Sequence, residues 1–295
     1  MSQKEIILFC VVKDELHRMQ QFLPYYRNLG VTSFVFTDNN STDGTYEFLQ
    51  EQEDVTLYRE KTKYSSILRN SWIVTMLNNH GRNKWCVVVD SDEFLSYVGQ
   101  ETHNLSDLIS VAESNNYSGI SGFMLDMYSE LKMFSNETFD MNYSNYFDSC
   151  GYKVVERSYC TFVQGGPRTR LFGTRQYVSK QPIFYYTDGI HYTNAHYMRV
   201  DDTNKISPIW VVLRHYKFQT EIDRQKLDHA VANHVYYHNS RDYVPIYDYI
   251  RAHCIPTMYN YDISKKYISS KSLTCLDILQ EPFNIESEDD TNGKS

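Results

Sequence analysis

Residues 84–97 read KWCVVVDSDEFLSY, a short apolar run that ends in three carboxylates. The run over 85–89 has the length and composition of a strand that is covered on both faces. On an extended chain Asp90 and Asp92 point to the same side, ~6.6 Å apart, where their oxygens suit Mg²⁺ or Mn²⁺ shared with a diphosphate. Glu93 does not share that face, so we assign it to orienting the loop or starting the next turn, and not to the metal. The competing interpretation is a solvated strand end with an aspartate cap.

Three earlier segments also begin with an apolar strand, and each of these strands is followed by a helix. Strands are predicted over 6–12, 31–37 and 55–58, and helices begin near Leu16, Tyr46 and Ile67. Gly30 is the expected stop of the first helix. The alternation favours a parallel sheet with right-handed crossovers, and hence an α/β fold.

Binding crevices of such sheets lie at the carboxyl ends of the strands. Three of those ends carry polar clusters: Lys13-Asp14-Glu15, Asp38-Asn39 and Asp90-Ser91-Asp92. Helix capping alone does not predict that all three fall on one edge. The loop DNNSTDGT at 38–45 is either a tight turn in which Asp43 caps a helix, or a group of amides and a carboxylate, Asp38, that hydrogen-bond a nucleotide.

The pattern loosens after residue 100 and predicts a mixed sheet. Strands are expected over 120–125, 154–163, 183–186 and 209–216, and Thr220 begins a helix with Asp223 three positions on. The GGP at 165–167 is either an ordinary turn or a close backbone approach to a ligand, and Arg168 beside it could meet phosphate. His215 is either a satisfied core histidine or a third metal ligand through its neutral imidazole.

Composition narrows the classes of function. Against 29 Lys and Arg the chain has 37 Asp and Glu, a formal net charge of −8, and no dense basic block. This argues against a nucleic-acid binder, and a phosphate-bearing substrate fits only if a metal ion mediates. The 26 tyrosines suit packing as well as stacking on sugar or base rings. The six cysteines form no C-x-x-C pair and indicate reduced thiols in a cytosolic protein.

No apolar stretch approaches the ~20 residues of a membrane span. The run over 6–12 is too short and lacks a cleavage site, so it is interpreted as a strand and not as a signal peptide.

Four blocks resemble one family by their order and spacing: VKDEL at 12–16, LGV at 29–31, TDNNSTDGT at 37–45 and WCVVVDSDEFL at 85–95. They are similar to the family-2-like glycosyltransferases of GT-A fold, in the group that reads KNE…LGV…DNxSxDGT…DxDEF. The GGP at 165–167 and RHYKFQT at 214–220, with Lys226, are similar to that group's glycine loop and its histidine-containing C-terminal motif. Asp14 stands where the group usually has Asn, and Gln219 where it often has Lys. The resemblance spans residues 5–230.

The resemblance implies a GT-A type, Rossmann-like mixed sheet, mostly parallel in its N-terminal half, flanked by helices and followed by C-terminal helices. We expect residues 1–100 to form the nucleotide-sugar-binding half of one domain, and 101–240 its acceptor-binding and catalytic half. A helical extension over 241–280 and a disordered acidic tail over 281–295 complete the predicted organisation.

The resemblance also implies a transferase that takes its sugar from a nucleotide-diphosphate sugar, a UDP-sugar above all. One set of residues would border this donor: Val12, Glu15, Asp38, Asp43, Asp90, Gly165, Gly166 and Arg168. Asp90 would contact the ribose or the metal. The divalent cation, Mn²⁺ or Mg²⁺, would be bound by Asp92 and Asp90, with His215 completing its coordination.

An acceptor hydroxyl needs a carboxylate within hydrogen-bond reach to take its proton. Asp188 in YYTDG fits the family's position for this base best, with Glu156 and Asp126 as alternatives; the competing interpretation of Asp188 is a turn residue before Gly189. Inversion at the anomeric carbon is implied, because the family displaces in one step. The expected acceptor is a glycan or lipid-linked glycan in surface polysaccharide synthesis, and the expected location is cytoplasmic, with peripheral contact to the inner membrane face.

Two other classes of function stay open. A metal-dependent nucleotidyltransferase would share the sheet and its acidic edge, but it would want an early Gly-rich loop, and residues 8–20 hold no glycine. A non-catalytic carbohydrate-binding module would explain the tyrosines, yet it would not need the DSD segment and His215 together.

Overall fold

The computed structural model describes residues 4–157, 160–194, 196–201, 203–233, 243–254 and 256–284. The predicted acidic tail lies outside these residues from position 285 onward. The described chain forms one eight-stranded mixed sheet, flanked by helices, and three separate two-stranded ribbons.

The first hundred residues alternate strands and helices as the apolar pattern predicts. Their elements are, in order, β1 (Ile6–Val12), α1 (Leu16–Leu29), β2 (Ser33–Asp38), α2 (Thr45–Gln50), β3 (Val55–Arg59), α3 (Ser66–Met76), a π-helical turn (Leu77–Gly81), β4 (Lys84–Val88) and β5 (Glu93–Ser96). Helix α1 ends at Gly30, whose φ of 106° lies in the left-handed region that favours glycine. The predicted stop is therefore confirmed.

The second half mixes strands of both directions with shorter helices. Its elements are α4 (Leu105–Ser114), β6 (Gly119–Asp126), β7 (Tyr146–Asp148), β8 (Lys153–Arg157), β9 (Cys160–Gln164), α5 (Pro167–Phe172), β10 (Ser179–Tyr186), β11 (Ile190–Tyr192), β12 (Met198–Val200), β13 (Ile206–His215), α6 (Glu221–Ala232), α7 (Val244–Ala252), β14 (Ser264–Lys266) and two 3₁₀ turns (Ser270–Cys275, Pro282–Asn284). The single strand predicted over 154–163 is wrong. It is the antiparallel pair β8–β9, because an apolar pattern does not reveal where the chain reverses.

The large sheet has the strand order β3-β2-β1-β4-β10-β6-β13-β5. Its first four strands are parallel, β6 and β13 run in the same direction as these, and β10 and β5 run against them. This confirms the predicted α/β fold of Rossmann-like, GT-A type. The sheet continues across the boundary predicted at residue 100, since β5 pairs with β13 at its edge.

Strand β1 shows why its sequence is apolar throughout. Leu8 packs in one hydrophobic cluster with Phe22 of α1, and the next residue, Phe9, packs in a second cluster with Ile73 of α3. Alternate side chains of a strand point to opposite faces, so a strand between two helical layers must be apolar on both. The run over 6–12 is apolar at every position because both faces of β1 are covered by helices.

Buried ion pairs fasten the start of α1 to α6. Arg18 is buried and donates to the carboxylate of Glu15 (2.7 Å), to the carbonyl of Tyr216 (3.0 Å) and to the carboxylate of Asp223. Lys226, one turn further along α6, donates to the other oxygen of Glu15 (2.6 Å). Since β13 leads directly into α6, these contacts hold the segment after β13 against the turn between β1 and α1.

Two further sequence observations can be compared with the structure. Five cysteines among the described residues are free thiols: Cys10, Cys86, Cys150, Cys254 and Cys275. Within the same residues, none of the helices combines the length and the apolar character that crossing a membrane requires.

Arg18→Met is expected to lower the free energy of unfolding by about 3–5 kcal/mol, because it leaves two buried carboxylates without their shared partner. Arg27→Met on the same helix is the matched control. Arg27 pairs with Asp54 (2.5 Å) where both side chains are about one-third exposed, and loss of such a surface pair costs only ~0–1 kcal/mol. Urea unfolding measures both variants, and equal losses would contradict the importance of the buried network.

Candidate active site

Five parallel strands bring their carboxyl ends to one edge of the sheet. Val12 ends β1, Asp38 ends β2, Asp126 ends β6 and His215 ends β13, while Asp90 follows β4 by two residues. The polar clusters of the first half therefore do lie along one edge. The second half adds a carboxylate and an imidazole to it.

His215 lies between carboxylates on both sides. In the sheet register it stands opposite Asp126 of β6 on one side and Glu93 of β5 on the other. Its Nδ1 is 2.7 Å from Oδ1 of Asp126, and its Nε2 is 3.4 Å from Oδ2 of Asp92. Burial by itself would lower the pKa of His215, but the charge of Asp92 and the hydrogen bond to Asp126 outweigh it, so the pKa is raised.

Asp126 is held from its other side by Arg168 of α5. The Nε of Arg168 donates to Oδ2 of Asp126 (2.8 Å), and its Nη1 donates to Gln176 (2.8 Å). Burial would raise the pKa of Asp126, yet Arg168 and His215 lower it, so the carboxyl is ionised. Both Asp126 and Arg168 are buried, and both carboxylate oxygens of Asp126 are engaged.

The DSD segment is a turn and not an extended strand end. Strand β4 ends at Val88, and the amide of Glu93 donates back to the carbonyl of Asp90 (3.1 Å). The turn brings the carboxylate of Glu93 to within 4.8 Å of ligand atoms of Asp92 and His215. The geometry expected from an extended chain, with Glu93 pointing away, is therefore wrong. Glu93 does orient the loop, because its Oε2 accepts from the amide of Asp90 (2.9 Å).

Two buried cations neutralise the carboxylates at the end of β4. Arg69 of α3 donates to Oδ1 of Asp90 (2.5 Å), and Lys180 of β10 lies 3.0 Å from Oδ2 of Asp90 and 2.5 Å from Oε1 of Glu93. Burial would raise the pKa of Asp90, but Arg69 and Lys180 outweigh it and lower the pKa. For Glu93 burial dominates, and its pKa is raised despite Lys180.

Asp92 is the carboxylate of this group that lies beside the imidazole of His215 and is partly exposed, so it is well placed to bind a metal ion. Its side chain is 18% exposed, compared with 1% for Glu93. Burial would raise the pKa of Asp92, but His215 outweighs it and lowers the pKa well below its usual value. Asp90 is also partly exposed, but each of its oxygens already faces a cation. Asp92 and His215 are thus the pair from which a metal site can be built.

The geometry of this pair fits a divalent cation. Two ligands at right angles on a metal with bonds of ~2.1 Å lie about 3.0 Å apart, close to the 3.4 Å between Oδ2 of Asp92 and Nε2 of His215. Glu93 supplies a third ligand atom within reach. A set that mixes imidazole with carboxylates favours a first-row transition ion such as Mn²⁺ over Mg²⁺, which takes oxygen ligands.

The loops that follow β1 and β2 are joined to each other by hydrogen bonds. The amide of Leu16 donates to Asp43 (3.0 Å), and the amide of Thr42 donates to Asp14 (2.7 Å). Asp14 has a left-handed φ of 51°, a conformation that Asp and Asn both tolerate, so Asp in place of Asn is accommodated here. The carboxylates of Asp43 and Glu15 are both bound within the protein. Asp43 also accepts from the amide of Thr45, and Glu15 pairs with Arg18 and Lys226.

Asp38 differs from Asp43 and Glu15 because one of its carboxylate oxygens has no hydrogen-bond partner among the described residues. It is fully buried, and its Oδ1 accepts from the amide of Ser41 (3.0 Å). Its Oδ2 has no hydrogen-bond partner among the described residues. Buried polar atoms are nearly always paired, so an unpaired carboxylate oxygen indicates a place for a ligand's donor or for water. Val12 lies beside it, and its carbonyl accepts from the amide of Asn39 (2.8 Å).

The glycine loop is packed against the protein itself. A Cβ on Gly165 would come within 2.1 Å of the carbonyl oxygen of Gly151, and one on Gly166 within 3.0 Å of the Tyr152 ring. Both glycines have positive φ and lead into α5, where Pro167 is the first residue. Their contacts thus account for glycine without a ligand, and they deliver Arg168 to Asp126. The Nη2 of Arg168 has no hydrogen-bond partner among the described residues, so the predicted contact with a donor phosphate stays a prediction.

The three predicted bases lie in different places. Asp188 is almost fully exposed and pairs with Arg82. It follows β10, which runs antiparallel to β4 with Tyr186 opposite Lys84, so it lies at the edge opposite Asp90. Glu156 is exposed on the β8–β9 hairpin, and the oxygens of Asp126 are both engaged. The structure brings neither Asp188 nor Glu156 into the acidic cluster.

Lys180 and Arg69 are site residues that the sequence pattern did not indicate. Lys180 precedes the strand predicted from Ile183, and because β10 is antiparallel its start lies at the edge with Asp90. One signal was present: Lys180 is the only charged residue in VSKQPIFYY at 178–186. A lone charge in a buried strand needs a partner of opposite sign.

No protein-family model matches the chain, and no curated protein matches it. Among solved structures it is similar to S. aureus TarS 1-349 in complex with UDP, with 16% identity, 45% of this chain and 40% of that chain covered, and a TM-score of 0.34. It is also similar to 4-diphosphocytidyl-2C-methyl-D-erythritol synthase (10% identity, 62% and 75% covered, TM-score 0.32). A third similar structure is UDP-glucose pyrophosphorylase complexed with UDP-glucose, with 11% identity, 49% of this chain and 66% of that chain covered, and a TM-score of 0.26. Similarity at this level does not assign a function, which has to come from the residues of the site.

Proposed function

We propose that this protein is a glycosyltransferase that moves a sugar from a UDP-sugar to a hydroxyl group of a glycan or lipid-linked glycan, with Mn²⁺ or Mg²⁺ as cofactor. The observation that carries the proposal is the group Asp92, Glu93 and His215, whose ligand atoms lie within 4.8 Å of one another at the carboxyl edge of the sheet. Open α/β sheets bind their ligands at this edge.

In this proposal the nucleoside lies over the joined loops after β1 and β2. The unpaired Oδ2 of Asp38 accepts the single imide N–H of uracil, while Oδ1 keeps its bond to Ser41. Guanine is disfavoured here because its two adjacent donors would need both oxygens of the carboxylate. Asp90 is partly exposed and accepts from the ribose hydroxyls, since Arg69 and Lys180 keep it ionised.

The cation would be held by Asp92 and His215, with Glu93 within reach. When bound, it neutralises the diphosphate and stabilises the leaving nucleotide by Lewis acidity. The neighbouring cations have a related effect. Lys180 and Arg69 compensate the charge of Asp90 and Glu93, so that an acidic edge can accept an anionic donor without strong repulsion.

The transfer is proposed to invert the anomeric carbon in one displacement, as the resemblance implies. Incubation with a panel of nucleotide sugars and Mn²⁺ tests the reaction class through its products. Release of the nucleoside diphosphate supports a transferase. Formation of pyrophosphate from a nucleoside triphosphate and a sugar phosphate would support the nucleotidyltransferase alternative instead.

Asp92→Asn is expected to weaken the binding of UDP in Mn²⁺ by at least about 10–100-fold, because it removes the more exposed carboxylate ligand. The weaker binding that remains in EDTA should not change. Asp188→Asn is the matched control at the opposite edge, and it should bind like the unchanged protein. Calorimetry with UDP, in Mn²⁺ and in EDTA, measures each variant.

Two outcomes of that titration would count against the proposal. If the unchanged protein binds UDP equally well in Mn²⁺ and in EDTA, the metal assignment is wrong. If it binds no nucleoside diphosphate under either condition, the transferase assignment itself is wrong.

Asp38→Asn is expected to lower the affinity for UDP by about 10–100-fold, because a hydrogen bond to a charged group contributes ~1.5–3 kcal/mol. The loss should be the same in Mn²⁺ and in EDTA, since the contact is to the base and not to the diphosphate. Asp54→Asn, in the exposed pair with Arg27, is the control. Unchanged UDP affinity of Asp38→Asn would remove Asp38 from the nucleoside site.

A further inference from the structure

The imidazole of His215 has unequal contacts at its two nitrogens. Nδ1 is 2.7 Å from Asp126, a hydrogen-bond distance, whereas Nε2 is 3.4 Å from Asp92. The shorter contact is built into the sheet, because Asp126 and His215 are opposite each other in the pairing of β6 with β13. The longer contact is to a residue of the turn after β4. The ring is therefore oriented mainly from the side of Asp126.

Asp126 is itself fixed by a second buried group. Arg168 donates to the oxygen of Asp126 that does not face His215, and it is anchored in turn by Gln176. Asp126 is 2% exposed and Arg168 is 4% exposed. Both oxygens of Asp126 are engaged, one by Arg168 and one by His215, so its contacts are those of a group that orients the imidazole.

We propose that Asp126, held by Arg168, is a positioning residue that fixes the tautomer and the direction of His215 toward a divalent cation. A carboxylate that accepts from Nδ1–H leaves the lone pair of Nε2 free and aims it at Asp92. This inference rests on the metal site of the proposed function. It also gives the GGP segment a role, since Gly165 and Gly166 allow the tight packing that starts α5 and delivers Arg168.

The same short helix offers a matched control. Arg170 of α5 donates to both oxygens of Asp148 (3.0 and 2.9 Å), and Asp148 also accepts from the hydroxyl of Tyr128 (2.6 Å). Asp148 is 1% exposed, like Asp126, but its contacts are with Arg170 and Tyr128 and not with His215. Asp148→Asn therefore reproduces the loss of a buried carboxylate that is paired with an arginine, here a one-quarter-exposed one, without changing the partner of His215.

The test is the affinity of the full chain for Mn²⁺ alone, measured by electron paramagnetic resonance of the free ion. Asp126→Asn should raise the dissociation constant by about 10–100-fold, the usual effect of losing a partner behind a metal-binding histidine. An Asn side chain that turns its NH₂ toward Nδ1 stabilises the tautomer with the proton on Nε2. A protonated Nε2 has no lone pair with which to bind the metal. Asp148→Asn should bind Mn²⁺ as the unchanged protein does.

A second measurement keeps the test valid if Asp126→Asn does not fold. Arg168→Lys keeps a cation beside Asp126 but loses the planar fork, and its Mn²⁺ affinity should fall between those of the unchanged protein and Asp126→Asn. Nitrogen-15 NMR of the metal-free protein reports the hydrogen-bonded Nδ1–H of His215. That signal should shift in Asp126→Asn and Arg168→Lys and stay in place in Asp148→Asn.

The outcomes separate this inference from the proposed function. Mn²⁺ affinity that falls in Asp92→Asn but not in Asp126→Asn or Arg168→Lys would overturn the inference and leave the metal site standing. Equal losses in Asp126→Asn and Asp148→Asn would overturn it as well. Mn²⁺ binding that depends on Asp126 in a protein that binds no nucleoside diphosphate would support the inference and contradict the transferase proposal.

Discussion

The pairing of β13 with β6 on one side and with β5 on the other is the constraint on which the candidate site depends. It places His215 opposite Asp126 and beside Glu93 before any loop is considered. Side chains that are neighbours across strands have their Cβ atoms only ~4.5–5.5 Å apart, so the register alone brings an imidazole between two carboxylates. A slip of one residue would turn His215 to the other face of the sheet and dismantle the group.

Burial of so many charges has to be compensated within the protein. Four carboxylates near the ends of β4, β6 and β13 face a cation or an imidazole: Arg69 and Lys180 at Asp90, Lys180 at Glu93, Arg168 at Asp126 and His215 at Asp92. An unpaired buried charge would shift its pKa until it became neutral. Asp126 is buried and pairs closely with Arg168, whereas Asp92 is partly exposed and faces only the imidazole of His215 among the partners named here. This difference explains why we place the ligand at Asp92.

Much of the fold could be predicted from the sequence because its causes are local. Apolar runs predicted β1 and β4, a glycine predicted the end of α1, and Thr220 with Asp223 predicted the capping box that begins α6. The helix cap predicted at Asp43 is wrong, because Gly44 is the N-cap of α2 and no side chain caps it, while Asp43 accepts from the amides of Leu16 and Thr45. The direction of β10 could not be predicted in this way. It decides that Lys180, and not Asp188, lies next to Asp90.

The sequence by itself determined that this is an α/β protein and that carboxylates gather at the ends of its strands, because spacing, periodicity and turn chemistry act over a few residues. The spacing of the DSD segment also made Asp90 and Asp92 candidate metal ligands. For His215 the residues left a core histidine and a metal ligand both open, and the resemblance implied the metal ligand. Only the tertiary structure decided that Arg168 and the glycine loop serve Asp126, that the turn after β4 brings Glu93 to His215, and that Asp38 keeps an unpaired oxygen. Those contacts join residues that are far apart in the sequence. Local spacing does not reveal which distant strand or helix supplies the partner.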